Sequence, residues 1–105
     1  MWSKLESQEL EAAKLGDAEA YARIVERYRN LVFAMAYSRL GNFDDAHDVA
    51  QEVFVHAFVG IGRLKDDRKL VPWLRRITIN ACTQLDSYYR MAPTHSDKIT
   101  RERLR

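Results

Sequence analysis

The chain is poor in the residues that interrupt regular structure. Its 105 residues include only four Gly and two Pro, and long stretches lack both. That scarcity favours an all-α protein. Cysteine is scarcer still. Cys82 stands alone, which excludes an internal disulfide and points to a reducing cytoplasm. A single thiol in such a chain reads as a small core residue rather than a nucleophile. No apolar run approaches the roughly 18 residues that span a bilayer. The first ten residues, "MWSKLESQEL", have no apolar stretch of the kind a secretory signal needs.

Catalytic and metal-binding patterns are absent too. There is no Gly-rich phosphate loop, no paired Cys/His spacing for zinc, and no spacing that suggests a Ser/His/Asp or Cys/His set. Of the three histidines, His47, His56 and His95, only the first two share a helical segment. Nine residues apart at roughly 100° per residue, they lie about 180° out of phase. Asp44, Asp45 and Asp48 fall near a helix start, where acids ordinarily cap and offset the dipole. The sequence therefore predicts no enzyme, no cofactor and no metal.

What is present is apolar periodicity and uneven charge. Apolar residues make up 47% and charged residues 30%, a globular balance for one domain with a modest core. Net charge is +2, but residues 1–62 carry six Lys/Arg against ten Asp/Glu, and residues 63–105 carry eleven against five. An acidic half and a basic half imply two different surfaces, the basic one suited to a polyanion.

The spacing predicts four helices. "SQELEAAKL" forms the first, with Ser7 as N-cap and Gly16 as its close. Asp17 caps a long amphipathic helix over residues 18–40, with Tyr21, Ile24, Val25, Tyr28, Leu31, Val32, Met35 and Ala36 at steps of three and four. Gly41 stops it. Asn42 or Asp44 starts the third, whose apolar positions are Ala46, Val49, Ala50, Val53, Phe54, Ala57 and Phe58. "GIGRLKDDRKLVP" reads as a loop, and Pro72 as the first turn of a fourth helix that buries some combination of Trp73, Leu74, Ile77, Ala81 and Leu85. Residues 1–91 are thus one helical domain, and 92–105 a polar, basic tail or the start of a linker.

Two surfaces carry candidate chemistry. On the third helix Asp48, Gln51 and Glu52 form an acidic and amide cluster beside an apolar face. Around the fourth, Lys65, Arg68 and Lys69 precede Trp73, Arg75 and Arg76, and Asn80, Thr83 and Gln84 share one face at i, i+3 and i+4, extended by Arg76. Cations neutralise phosphates, amides read base edges and aromatic rings stack on unpaired bases. Trp73, at a helix start, reads as a packing anchor before a stacking platform.

The stretch "GDAEAYARIVERYRNLVFAMAYSRLGNFDDAHDVAQEVFVHAF", followed by "WLRRITINA", resembles the second conserved region of bacterial RNA polymerase sigma factors, most of all the extracytoplasmic-function group. The resemblance covers about residues 9–90 and implies a compact four-helix bundle. It implies docking of Asp48, Gln51, Glu52 and Val55 on the clamp helices of the largest core-polymerase subunit. It further implies that the loop at about 63–71 and the fourth helix engage the non-template strand of the promoter minus-ten element. One base would be flipped into a pocket made by that loop, and Asn80 would contribute to base recognition. The family's usual acidic residue, leucine and arginines are replaced by "QLDSYYR". That departure motivates an alternative: a module that binds polymerase or an anti-sigma factor without reading promoters. An unrelated helical DNA-binding regulator is disfavoured, because no short second helix with a Gly turn is visible.

Overall fold

The computed structural model describes residues 3–91. It contains four α-helices: α1 Lys4–Lys14, α2 Ala18–Leu40, α3 Phe43–Gly60 and α4 Leu70–Met91. Two single-turn 3₁₀ segments, Ile61–Arg63 and Asp67–Lys69, lie between α3 and α4. The compact four-helix bundle expected from the sequence is therefore present. The expectation for residues 92–105 lies outside the described residues.

Local chemistry sets each helix end. The α1 start corrects the sequence reading: Ser3, not Ser7, is the N-cap. The Glu6 N–H donates to Ser3 Oγ at 3.1 Å, and the Ser3 N–H donates back to Glu6 Oε1 at 3.4 Å. This reciprocal box satisfies two otherwise orphaned donors, which Ser7 with Leu10 three residues on could not do. Asp17 accepts from the Glu19 and Ala20 N–H groups and starts α2 as expected. Gly41, at φ 67°, ends it in a left-handed conformation that costs glycine little. Asn42 caps α3, its Oδ1 accepting from the Asp45 N–H at 2.7 Å. The fourth helix starts two residues before Pro72, which occupies its first turn. Proline is tolerated there because that N–H has no intrahelical acceptor.

The central helix α2 packs against the other three, and α3 packs against α4. Leu10, Ile24, Val32, Val53, Phe54, Leu70, Leu74 and Cys82 fill the core. Trp73, Ile77 and Leu85 pack on it half-buried. Thr78, fully buried, donates its hydroxyl to the Leu74 carbonyl at 2.8 Å, so its polarity is satisfied inside its own helix. Burial raises the Cys82 thiol pKa, which keeps it protonated and unreactive. Glu9, nearly buried, pairs with Arg23 at 3.0 Å and Arg27 at 2.6 Å and ties α1 to α2. Among the described residues no helix is long and apolar enough to cross a membrane.

Tyr21 joins α2 to α3. Its hydroxyl donates to the Phe54 carbonyl, and its ring meets Phe58 edge-on at 5.1 Å. Burial pushes its pKa from 10.0 up to about 12. The folded state thus holds a proton that the unfolded chain releases from about pH 10. Stability is complete below that pH and falls as pH rises from 10 towards 12. Burial shifts Tyr28 and Cys82 in the same direction. Thermal melts followed by circular dichroism should show a midpoint dropping steeply above pH 10, with a shallower drop in Tyr21→Phe. Equal slopes in the two proteins would count against the Tyr21 contribution.

Candidate functional site

Helix α3 divides cleanly by face. Ala46, Val49, Val53, Phe54 and Ala57 are buried against the bundle. Asp48, Gln51, Glu52 and Val55 are all exposed, and steps of three and four place them in one stripe. Glu52 Oε1 lies 3.7 Å from His56 Nε2, an ion pair only when the imidazole is protonated. The stripe is longer than expected. Val59 is 77% exposed and continues it, and so does Phe58, one of the apolar positions of the helix. Phe58 is 53% exposed and meets the core through the edge contact with Tyr21. Apolar spacing alone does not say which residues of the arc are covered; the positions of the neighbouring helices decide that.

Beside this stripe α2 and α3 enclose an apolar hollow of about 570 Å³, walled by Val25, Phe33, Phe43 and Phe54. Gln51 and His47 stand at its rim. Phe33 meets the Phe43 ring edge-on at 5.1 Å and stacks on Tyr37 at 6.0 Å.

The basic half is built from the 60–70 connection and α4. Ile61 and Leu70 are buried and anchor its ends. Between them Asp66 caps the second 3₁₀ turn, accepting from the Arg68 N–H at 3.0 Å, and also takes the Arg68 guanidinium at 3.3 and 3.4 Å. The Arg68 side chain, then its backbone N–H, holds the Asp66 carboxyl below its usual pKa. Arg68 is therefore already engaged within the loop, whereas Lys65, Lys69, Arg75 and Arg76 are exposed and form no ion pair among the described residues. Next to Asp66, Asp67 receives Lys14 Nζ from α1 at 2.6 Å.

Along α4, Arg76, Asn80, Thr83 and Gln84 are all exposed on one side, as their spacing requires. Asn80 and Gln84 line a hollow of about 310 Å³ together with Trp73, Ile77 and His56 of α3. Trp73 is half-buried and packs over Gly60, where an added Cβ would sit 3.2 Å from its ring. It is thus an anchor, as expected, with one edge turned to the Asn80 hollow. Arg75 is separated from this stripe. It lines a different hollow with Arg39 and Met35 of α2 and Ile79. Lys65 and Arg68 line a third, polar hollow against α1, with Ser7, Glu11 and Lys14. Tyr88 is 61% exposed, but Tyr89 donates its hydroxyl to Asp45 at 3.2 Å. Sequence reasoning missed His56, Arg39 and Lys14 as neighbours of these surfaces, since each arrives from another helix. Among the described residues no group of three or more His, Cys, Asp or Glu could hold a metal ion.

Comparison with known proteins agrees with this architecture. The profile of Sigma-70 region 2 matches residues 24–90. The chain is 39% identical over 71 residues to the ECF RNA polymerase sigma factor SigW of Bacillus subtilis, a match covering 68% of this chain and 38% of that protein. It is 31% identical over 75 residues to the RNA polymerase sigma-H factor of Pseudomonas aeruginosa, covering 71% of this chain and 39% of that one. The chain spans about two fifths of the length of these curated relatives. An NMR structure of an engineered region 2 of sigmaE in complex with GTAAAA superposes with a TM-score of 0.75 at 26% identity, over 89% of this chain and 100% of that one. On the profile match and these relatives, the chain belongs to the Sigma-70 region 2 family, in its extracytoplasmic-function group.

Proposed function

We propose that this chain is a non-enzymatic promoter-specificity domain that acts in the cytoplasm. The stripe Asp48, Gln51, Glu52 and Val55 docks on the clamp helices of core RNA polymerase. The loop cations and the Arg76, Asn80, Thr83, Gln84 stripe, with Trp73 as its anchor, engage the non-template strand of an opened minus-ten element. The observation that carries this reading is the exposed α4 stripe on which Arg76, a cation with no ion pair among the described residues, continues into the amides Asn80 and Gln84. The GTAAAA strand bound by the sigmaE relative supports it.

The chemistry has two parts. Lys65, Lys69, Arg75 and Arg76 are free to neutralise phosphates, which supplies affinity without sequence preference. Asn80 presents a donor and an acceptor to a base edge, which supplies the preference. Extruding a base costs a few kcal/mol of unstacking, so the single strand is favoured over duplex.

Fluorescence anisotropy with minus-ten oligonucleotides, in the presence of core polymerase, tests this. Single strands should bind more tightly than duplex. Asn80→Ala should weaken the preferred sequence by about 1–3 kcal/mol and leave the salt slope unchanged. Lys65→Ala should weaken all sequences alike and reduce the salt slope by about 0.7. If polymerase binds but no salt-sensitive single-strand binding appears, the chain is an interaction module without promoter reading.

A further inference from the structure

The loop that precedes α4 is held from a distance. Ile61 and Leu70 pin its ends in the core, but between them only Leu64, Asp66 and Asp67 are even half-buried. Leu64 packs on the core from the middle, and one ion pair, Lys14 Nζ to Asp67 Oδ1 at 2.6 Å, joins residues 53 positions apart. Among the described residues it is the one ion pair linking this loop to a helix. Its side chains are 12% and 21% exposed, against 79% and 40% for the Arg68–Asp66 pair inside the loop. Glu11, one turn earlier on α1, lies 3.7 Å from the same ammonium and steadies it from behind. Shielded from water, such a pair keeps more of its attraction than an exposed one.

The latch sits at the wall of a polar hollow. Lys14 and Asp67 border the polar hollow of about 470 Å³ between α1 and the loop, with Lys65, Asp66 and Arg68 along the loop side. Asp66 and Asp67 divide the work: one caps the 3₁₀ turn and binds Arg68, the other fastens that turn to α1. The backbone carrying Lys65 and Arg68 is thereby fixed relative to α1.

We infer that Lys14 is a positioning residue for base readout: through Asp67 it presets the loop wall against which an extruded minus-ten base is read. This rests on the promoter-binding reading above. A preset wall does not pay the ordering cost at the moment of binding, and it discriminates because its polar groups cannot rearrange to suit a wrong base. Lys14 touches no base itself. Its loss should therefore lower discrimination more than affinity.

The test selects a randomised single-stranded DNA library on the chain bound to core polymerase, then measures anisotropy for the preferred strand and its single-base variants. The proteins are wild type, Lys14→Gln, Asp67→Asn and the exchange Lys14→Asp with Asp67→Lys. Both single variants should lose about tenfold in discrimination at one strand position, the size of one base contact, with an unchanged salt slope. The exchange should restore at least part of that discrimination. Asp67→Asn changes only a loop side chain, so it reads the latch even where Lys14→Gln costs stability. If wild type discriminates and Asp67→Asn discriminates equally, the latch is structural only and the inference falls. A uniform loss of affinity at every base, unrelieved by the exchange, overturns it too. If wild type shows no base preference at all, the promoter-binding reading fails and the inference fails with it.

Discussion

Gln51→Ala combined with Glu52→Ala is expected to weaken binding to core polymerase by about thirtyfold or more, the scale of a hot-spot loss near 2 kcal/mol. The two residues sit at the centre of the exposed α3 stripe, between Asp48 on one side and Val55, Phe58 and Val59 on the other. An apolar run beside a central polar pair has the composition of an interface core with its specifying contacts. The same change should leave the fold almost untouched. Neither side chain is buried, the Glu52–His56 pair is exposed, and alanine is the better helix former. The melting curve should therefore shift by less than about 0.5 kcal/mol in free energy. Pull-down or calorimetry against core polymerase, with circular dichroism on the same samples, separates the two effects. Undiminished binding by a folded double variant would remove α3 from the docking role. Val55→Ala added to the pair should weaken binding further, because it trims the apolar part of the same stripe.

The pattern of what was legible follows the range of the interactions. Asp17, Gly41 and the step of three and four between them fixed the ends of α2, because cap, stop and periodicity are all local. The true start of α1 was equally local: Ser3 with Glu6 matches the capping box, while Ser7 has Leu10 three residues later. Pro72 was read as the helix start, although it is tolerated anywhere in the first turn, where N–H groups are orphans. The two 3₁₀ turns hid inside a stretch whose glycines and charges spell only a loop.

Tertiary placement was the illegible part. Whether Phe58 faces in or out depends on where α2 ends its cover. The spacing does not reveal that Asp66 pairs with Arg68 inside the loop, nor that Arg75 lies beside Arg39 of α2. No spacing rule connects Lys14 with Asp67. Candidate residues could thus be named from the sequence, but their partition into separate hollows required the packed helices.

Packing also ties the two surfaces to one source of stability, which Leu74→Ala probes. Leu74 is 1% exposed, beneath the first full turn of α4 that carries Trp73, Arg75 and Arg76. Removing its isobutyl group should cost about 2–5 kcal/mol, the transfer loss plus the cavity left behind. A domain of this size has roughly 5–15 kcal/mol in all, so the loss is a large share. At roughly 4–8 °C per kcal/mol the midpoint should fall by at least about 8 °C. The backbone carbonyl of residue 74 survives the change, so Thr78 keeps its hydroxyl acceptor and no new unsatisfied group is buried. Arg76→Ala, exposed on the same helix, should move the midpoint little while reducing the salt dependence of DNA binding. Well below its midpoint, Leu74→Ala should recover both polymerase and single-strand binding, because the exposed stripes are chemically intact. Near its midpoint it should lose both together, since α3 and α4 pack on each other. A melt unchanged by Leu74→Ala would mean that α4 is not seated on this core. A loss of DNA binding alone, at a temperature where the variant is fully folded, would place Leu74 in recognition rather than in packing.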